Sequence, residues 1–372
     1  YRGSLSGEHG DGRLRGEFIP LMVGDRNYEL IKRVKQLFDP DGVFNQGKIT
    51  DTPPMNSSLR YEAGYKSPHF DTWFDYSTEG GLMQLIEKCN GSGDCRKTEL
   101  TGGTMCPSYM ATRDEMATTR ARANVLRELL SRNDLKKPFD QADIYKILDL
   151  CLSCKACKSE CPSSVDMAKI KAEFLQHWYD HHRVPIRTSL IANISRINRL
   201  GILLPSVFNW FTTSKPTSFL LKRVLGFASK RSIPRLGKQP LRSWAEKNLA
   251  SLNEALPNDA PELLLYVDEF SNYNDTALGI ISIRLLNRLG IRVIILKHPV
   301  SGRTYISKGL LKKARQIARE NVETLSETVG PDRPLVGIEP SAILGFRDEF
   351  PELVGVDMRD RAKALSEHCL TM

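Results

Sequence analysis

Cys151-Leu152-Ser153-Cys154-Lys155-Ala156-Cys157-Lys158-Ser159-Glu160-Cys161-Pro162 is the stretch that decides how this chain reads. Three cysteines, each separated from the next by two residues, let one tight loop deliver three thiolates to the corners of an iron–sulfur cubane. A fourth, three residues further on and followed by proline, is directed to a different cluster. Paired Cys-x2-Cys units also build structural zinc sites. Zinc is satisfied by four ligands, however, and gives no reason for the longer last spacing or the proline. The spacing favours iron–sulfur clusters, and with them electron transfer.

Two-cluster domains exchange ligands, so an earlier motif should complete both sets. Cys89-x5-Cys95-x10-Cys106-Pro107 is that motif, and its last cysteine carries the expected proline. By the exchange rule Cys106 joins Cys151, Cys154 and Cys157 around one [4Fe–4S] cluster. Cys89, Cys95 and Cys161 form a second, three-thiolate set, because Ser92 stands where a regular motif has its middle cysteine. Three thiolates suit a [3Fe–4S] cluster, or a [4Fe–4S] cluster whose fourth iron takes a hydroxyl, water or another residue; loss of this cluster is a further alternative. Seven of the eight cysteines lie between Cys89 and Cys161, which is metal-ligand clustering rather than a disulfide framework and fits a reducing compartment. Cys369, far from both groups, reads as a buried or idle thiol.

At 372 residues and 41% hydrophobic content the chain is long enough for two or three domains with real cores. The greasiest region, Ile191 to Phe211, is interrupted by Arg196, Arg199 and Pro205, well short of the roughly 18 uninterrupted apolar residues of a membrane span. The chain opens on Tyr1 with no signal-peptide pattern, so its start reads as internal to a longer protein. Lys and Arg exceed Asp and Glu by 53 to 44. The excess reads as spread out apart from the groups Arg187 to Arg199 and Lys222 to Arg242, which suggests a solvated face or an acidic partner rather than nucleic acid.

The periodicity divides the chain into five parts and predicts a multidomain α+β protein. Residues 1–50 begin with a glycine-rich stretch, Gly3 to Arg15, which then turns into a strand-loop before Asp25. A helix follows from Asp25, with Leu30, Ile31, Val34, Leu37 and Phe38 at helical spacing and Pro40 and Gly42 at its end. Residues 51–77, with Pro53 and Pro54, read as a linker. Residues 78–182 form an all-α cysteine domain. In it a helix from Asp114 to Arg132 carries Met116, Ala117, Ala121, Val125, Leu126 and Leu129 on one face and Arg120, Arg122 and Arg127 on the other. Further helices run from Gln141 to Leu150 and from beyond Pro162 to about Tyr179. Residues 183–258 are a basic helical connector to which the sequence assigns no chemistry. In residues 259–372, strand Leu263–Val267, helix Thr276–Leu289, strand Val293–Leu296, helix Ser307–Val329 and strand Leu335–Ile338 alternate as in a parallel α/β unit.

Gly3-Ser4-Leu5-Ser6-Gly7-Glu8-His9-Gly10-Asp11-Gly12 and Phe38-Asp39-Pro40-Asp41-Gly42-Val43-Phe44-Asn45-Gln46-Gly47-Lys48 resemble, in order and spacing, the end of the FAD-linked oxidase C-terminal domain of D-lactate, glycolate and D-2-hydroxyglutarate dehydrogenases, with Gln46 in place of the usual proline. The segments Cys89 to Lys97 and Met105-Cys106-Pro107-Ser108-Tyr109 resemble the iron–sulfur module fused to such oxidases, which also commonly lacks the middle cysteine. They are similar too to the ferredoxin parts of the iron–sulfur subunits of anaerobic glycerol-3-phosphate dehydrogenase and of glycolate oxidase. Residues 259–372, notably Ile306-Ser307-Lys308-Gly309-Leu310-Leu311 and Gly337-Ile338-Glu339-Pro340-Ser341, resemble the CCG domain of heterodisulfide-reductase-like proteins. Val300-Ser301-Gly302 stands where that family reads Cys-Cys-Gly.

The resemblance implies a fused protein truncated at both ends. Its parent would oxidise a small D-2-hydroxy acid with FAD and pass electrons through clusters to quinone or another carrier. Glu8 would bind a divalent metal and His9 would face the substrate, a role that suits a base or cation near neutral pKa. Asn45, Gly47 and Lys48 would lie along the flavin, most of whose site lies upstream, so the isolated chain is expected to be inactive and to hold FAD weakly. The degenerate CCG domain would serve as a scaffold or docking element. The implied location is cytoplasmic or peripheral to the inner face of the membrane, with homo-oligomers compatible and no nucleic acid expected. The rival reading is a non-catalytic electron-transfer subunit whose flavin partner is a separate chain.

Overall fold

The computed structural model describes residues 3–61, 64–132 and 136–372, and the chain forms two compact units, Tyr1–Ser67 and Pro68–Met372. In the first unit, helix α1 (Asp25–Phe38) ends at Asp39. The Asp39 carboxylate accepts the backbone N–H groups of Val43 at 2.7 Å and Phe44 at 3.0 Å and pairs with Lys35, which turns the chain into the loop at residues 45–49. The hydrogen bond from Lys35 holds the Asp39 carboxyl below its ordinary pKa. The strand-loop expected between the glycine-rich stretch and Asp25 is not a strand: a 3-10 turn, Gly16–Phe18, runs into a short helix, Ile19–Val23, which has Pro20 in its first turn, where proline is tolerated. The apolar face of α1 is uncovered, with Leu37 at 77% and Phe38 at 79% exposure.

The second unit begins with the cysteine region and its helices α2 (Leu82–Glu87), α3 (Pro107–Thr112), α4 (Thr119–Leu130), α5 (Ala142–Asp149), α6 (Ala156–Glu160) and α7 (Met167–His181). Side-chain caps set two of the starts: Thr118 accepts the N–H of Ala121 at 3.0 Å, and Asp166 that of Lys169 at 3.0 Å. Glu173 on α7 is fully buried and accepts the backbone N–H groups of Trp73 at 2.8 Å and Phe74 at 3.0 Å. The linker expected to reach residue 77 therefore ends earlier, because Phe74 and Tyr76 are already core residues.

Four short helices follow, α8 (Ile186–Ala192), α9 (Ile194–Gly201), α10 (Pro205–Thr213) and α11 (Lys215–Leu225), then α12 (Leu241–Glu254). The four-stranded sheet is wholly parallel in the order β2-β1-β3-β4, formed by β1 (Glu262–Tyr266), β2 (Arg292–Ile294), β3 (Leu335–Gly337) and β4 (Cys369–Thr371). Leu264 lies opposite both Ile294 and Leu335, and Leu335 opposite Cys369. Helices α13 (Thr276–Arg288), α14 (Arg303–Ser307), α15 (Leu311–Leu325) and α16 (Arg359–Glu367) connect or cover the strands. Leu241 and Trp244 of α12 pack with Leu263 and Val293 on one sheet face, so the end of the expected connector belongs to the α/β layer.

Two expectations fail for local reasons. The single helix from Ser307 is broken at Gly309, whose φ of 68° is outside the helical region. The residue is also pressed against α7, where a Cβ on Gly309 would stand 2.2 Å from Leu175 Cβ. The expected division between residues 78–182 and 259–372 does not extend to the core. Phe74, Leu126, Phe174, Tyr266, Val322 and Phe346 belong to one continuous buried cluster, which makes the helical part and the sheet mechanically one body. Among the described residues, no helix is long and apolar enough to cross a membrane.

Candidate functional site

Two hollows in the helical part are lined by cysteine. Cys106, Cys151, Cys154 and Cys157 line one, together with Thr119 and Arg122. Cys89, Cys95 and Cys161 line the other, with Ser92, Met105 and Val165. Left-handed backbone brings the thiols to these positions: Cys106 has φ 56° just before Pro107, and Ser153 and Lys155, at φ 55° and 63°, turn the chain on either side of Cys154. Ser164 does the same after the Cys161-Pro162 step, at φ 49°. Such angles cost on the order of 1–3 kcal/mol each in non-glycine residues and persist only where the surroundings enforce them.

Glu160, the last residue of α6, ties the two cysteine motifs together. Its carboxylate accepts the N–H of Thr104 at 2.8 Å and of Met105 at 3.0 Å, with the Thr104 hydroxyl donating at 2.6 Å. Cys106 is thereby held against the Cys157 to Cys161 turn, and its sulfur accepts the Thr119 N–H at 3.1 Å.

The electrostatics of the first hollow were only partly visible in sequence. Arg122, expected on the outer face of its helix, is 1% exposed. It stands four residues before Leu126, on the same face as Ala123 and Leu130, so helical geometry turns it inward. Its guanidinium donates to the Ile147 carbonyl and to Ser108 Oγ, both at 3.1 Å, and among the described residues it forms no ion pair. Lys171 of α7 donates to the carbonyl of Cys151 at 2.7 Å, and burial pushes its ammonium down to about 8. Burial pushes the Cys157 thiol up to about 12 and raises Cys106 and Cys95. Buried thiols and two buried cations without a carboxylate partner fit a metal cluster held by thiolates, since metal ligation stabilises the deprotonated sulfur and the cations offset the charge of the set. Among the described residues, no group of three His, Cys, Asp or Glu side chains is arranged to hold one metal ion. The sulfurs ring hollows instead.

Cys369 is fully buried on β4, its thiol donating to the Leu365 carbonyl at 3.2 Å, with burial pushing it up to about 12. It lies outside both cysteine groups. In the first unit Glu8 and His9 stand 3.9 Å apart with side chains 87% and 85% exposed. A backbone bond from Ile49 N–H to the Gly12 carbonyl, 3.1 Å, joins their segment to the second oxidase-like motif. There Asn45 and Gly47 take positive φ, and Lys48 donates to Asn45 Oδ1 at 3.1 Å. Among the described residues, no hydrogen bond joins Glu8 or His9 to Asn45, Gly47 or Lys48.

The CCG-like segments carry polar contacts where the resemblance would have cysteine. Ser301 donates to Glu269 through its N–H at 3.0 Å and its hydroxyl at 2.8 Å, and Arg303 pairs with Glu339. Beside them lies a cavity of about 670 Å³, shared between Ser153, Cys154 and Lys155 on one side and Arg303, Lys308 and Ser341 on the other. Cys154 belongs to both this cavity and the four-cysteine hollow. Most charges on its wall are matched: Lys155 pairs with Asp348 and Glu349, and Lys169 with Glu352 at 2.8 Å.

Comparison with known proteins finds two family matches along the chain. Residues 1–49 match the family described as FAD linked oxidases, C-terminal domain, and residues 88–166 match the 4Fe-4S dicluster domain. The chain is 26% identical over 395 aligned positions to a D-2-hydroxyglutarate dehydrogenase of Escherichia coli, covering 95% of this chain and 38% of that protein. A D-2-hydroxyglutarate dehydrogenase of Pseudomonas putida is 27% identical, over 96% of this chain and 39% of its own length. An anaerobic glycerol-3-phosphate dehydrogenase subunit of Escherichia coli is 29% identical over 51% of this chain and 46% of its own length. No solved structure matches the chain. The chain is thus similar over residues 1–49 to the C-terminal domain of FAD linked oxidases and over residues 88–166 to the 4Fe-4S dicluster domain. It is similar along nearly all its length to D-2-hydroxyglutarate dehydrogenases, of which it spans less than two fifths.

Proposed function

We propose that this chain is the electron-exit portion of an FAD-linked dehydrogenase that oxidises a D-2-hydroxy acid. The observation that carries the reading is the four-cysteine hollow with its buried Arg122, in a chain whose first 49 residues match an FAD-linked oxidase domain. Cys106, Cys151, Cys154 and Cys157 would hold a [4Fe–4S] cluster. Cys89, Cys95 and Cys161 would hold a second, three- or four-iron cluster. Bound there, such clusters supply one-electron transfer at potentials set by burial, charge and hydrogen bonds to sulfur. The Thr119 N–H and the Arg122 and Lys171 cations stabilise negative charge on the first site, while Glu160 keeps the two cysteine motifs in register. Glu8 would bind a divalent metal, His9 would meet the substrate, and Asn45, Gly47 and Lys48 would line the flavin.

The substrate class is a small D-2-hydroxy acid, with D-2-hydroxyglutarate first among D-lactate, glycolate and related acids because relatives of that name match most of the chain. The cavity beside Cys154 suits the acceptor. Its volume is that of a small-molecule site, its charges are largely neutralised in pairs, and one wall is shared with the cluster site. A quinone or another uncharged carrier fits it better than a phosphate-bearing one. Such an acceptor agrees with a protein working at the periphery of the inner face of a membrane. The reading as a non-catalytic subunit has the similarity to the glycerol-3-phosphate dehydrogenase subunit in its favour, but that similarity covers about half of the chain and leaves the oxidase match unexplained.

Anaerobic purification of the encoded protein, with metal analysis and EPR before and after adding D-2-hydroxyglutarate, D-lactate or glycolate, tests the reading. The expected result is iron and sulfide with a spectrum that changes on adding one of these acids. Zinc in place of iron, or clusters that no hydroxy acid reduces, would overturn it.

A further inference from the structure

The whole positive excess of the chain sits in one stretch. Residues 184–245 contain eleven Lys and Arg and no Asp or Glu, against a net +9 for all 372 residues. The remainder of the chain is therefore close to neutral, and the groups Arg187 to Arg199 and Lys222 to Arg242 singled out in the sequence supply most of the excess. None of the eleven cations forms a salt bridge among the described residues, and Arg242 alone is turned into the α/β layer, donating to the Leu296 carbonyl at 2.8 Å.

Helices α9 to α11 of this stretch are amphipathic in the inverted sense, their buried residues being Asn198, Thr212 and Ser218. Toward the body of the protein they turn polar side chains: Asn198 is 3% exposed and donates to Asn274 Oδ1 at 2.9 Å, Asn209 exchanges hydrogen bonds with the backbone of Leu236, and Thr212 is buried. Outward they present Leu203 at 74% exposure, Leu204, Val207 and Trp210 at 62%, joined by Leu220 and Val224 of the next helix. Val207 and Trp210 share one face of α10, and Leu203 and Leu204 in the turn before it extend the exposed apolar patch. A surface helix in water hides this face, so its outward display identifies a non-aqueous neighbour.

We propose that α9 to α11, residues 194–225, lie in the plane of an anionic phospholipid bilayer, with the patch around Trp210 in the acyl boundary and the surrounding Lys and Arg at the headgroups. Charge complementarity argues for this partner: five Lys and Arg and no Asp or Glu within residues 194–225 match an anionic lipid surface, and large aliphatic residues between them match its interior. Nucleic acid would satisfy the cations and leave the leucines in water. None of these helices is long enough to span a bilayer, so the geometry is that of an interfacial attachment. The stretch is also fastened to the cavity beside Cys154: Ile191 lines it, Thr304 donates to the Ala192 carbonyl at 2.9 Å, and Tyr305 donates to Asn193 Oδ1 at 2.9 Å. Docking would bring that cavity to the membrane surface, where lipid-borne acceptors reside. The inference deepens the peripheral placement proposed above by naming its surface and lipid, and it does not depend on the clusters.

The test is co-sedimentation of the encoded full-length protein with vesicles of phosphatidylcholine, with and without phosphatidylglycerol, at low and high salt. Binding to the anionic vesicles is expected, weakening with salt, with a blue shift of tryptophan emission that Trp210→Phe abolishes while binding persists. The double variant Leu203→Glu, Val207→Glu is expected to bind about tenfold more weakly or worse, with circular dichroism and visible cluster absorbance unchanged. Both side chains are exposed, so folding is not at stake. Equal binding of the double variant, equal binding to vesicles without phosphatidylglycerol, or retention by DNA fragments but not by vesicles would overturn the proposal. A protein without iron that still binds would leave this inference standing while removing the electron-transfer reading.

Discussion

Glu160 accepts the backbone N–H of Met105 at 3.0 Å, across 55 positions of sequence, and so fixes the residue before Cys106 to the end of the helix that carries Cys157. Charge-assisted bonds of this kind are about twice as strong as neutral ones. Thr104, through its side chain first, holds the Glu160 carboxyl below its ordinary pKa, so the anion is the form that does the joining. Glu160→Ala is expected to lower iron content and speed the thermal bleaching of the visible absorbance, with little change in helix content. Glu160→Gln, which keeps one accepting oxygen, should fall between. Equal iron retention in all three proteins would show that Cys106 needs no such tether.

The exchange of ligands between the two motifs makes a pairwise prediction. Cys106→Ser and Cys154→Ser should damage the same cluster, because both thiols line one hollow, and should leave the same residual EPR signal. Cys161→Ser should instead alter the signal that remains in those two variants, since Cys161 lines the other hollow with Cys89 and Cys95. If Cys161→Ser removed the signal lost in Cys154→Ser, the exchange would be wrong.

Arg122 supplies a positive charge to the wall of the four-cysteine hollow and pairs with no carboxylate among the described residues. Reduction adds a negative charge, so a nearby cation favours the reduced state. Arg122→Met should therefore move the midpoint of that cluster to a more negative potential, by tens of millivolts, given about 59 mV per tenfold change for one electron. An EPR-monitored redox titration reads it. Arg122→Lys should recover part of the shift if charge is the cause. A methionine variant with an unchanged midpoint would place Arg122 in packing alone.

How much of this was legible in sequence follows from the range of each interaction. The cysteine motifs, α1, α5 and the alternation of strands and helices were readable because spacing and periodicity are local. Arg122 was misread because a charged residue was set against the periodicity, although its position four before Leu126 put it on the buried face. Glu160, Lys171 and the shared core were beyond reach, since their partners lie 20 or more positions away. The basic stretch was noticed as composition. Its inverted polarity became visible only once the inward contacts of Asn198 and Asn209 were known.

Gly309 marks the seam between α7 and the α/β layer. A Cβ there would meet Leu175 Cβ at 2.2 Å and the Ala172 carbonyl at 3.2 Å, and the residue has φ 68°. Both close approach and conformation select glycine. Gly309→Ala should destabilise the second unit by about 1–3 kcal/mol, as overpacking and backbone strain do. The helical part and the sheet should still lose structure in one transition, because their cores are continuous. Thermal melts followed by far-UV circular dichroism and by cluster absorbance test this; two separated transitions would contradict a single core.

His298 is expected to contribute a pH dependence to the stability of the α/β layer. The ring stacks on Tyr266 at 4.1 Å, its Nδ1–H donates to the Pro299 carbonyl at 2.6 Å, and Nε2 accepts the Val267 N–H at 3.2 Å and a guanidinium N–H of Arg242 at 2.6 Å. That arrangement requires the neutral imidazole. Burial first, and Arg242 second, push its pKa down to about 3 from the usual 6.5. The folded pKa lies below the unfolded one, so the contribution is fully present above pH ~6.5 and is lost as pH falls toward ~3, where the unfolded chain binds the extra proton. Between pH 7 and pH 5 the loss should amount to about 2 kcal/mol. His298→Gln keeps polar atoms that can donate and accept but does not titrate. Urea unfolding of the two proteins at both pH values should show the variant less stable at pH 7 and less sensitive to the change. A wild-type protein whose pH sensitivity equals that of the variant would mean that His298 is already charged, or already exposed, in the folded state.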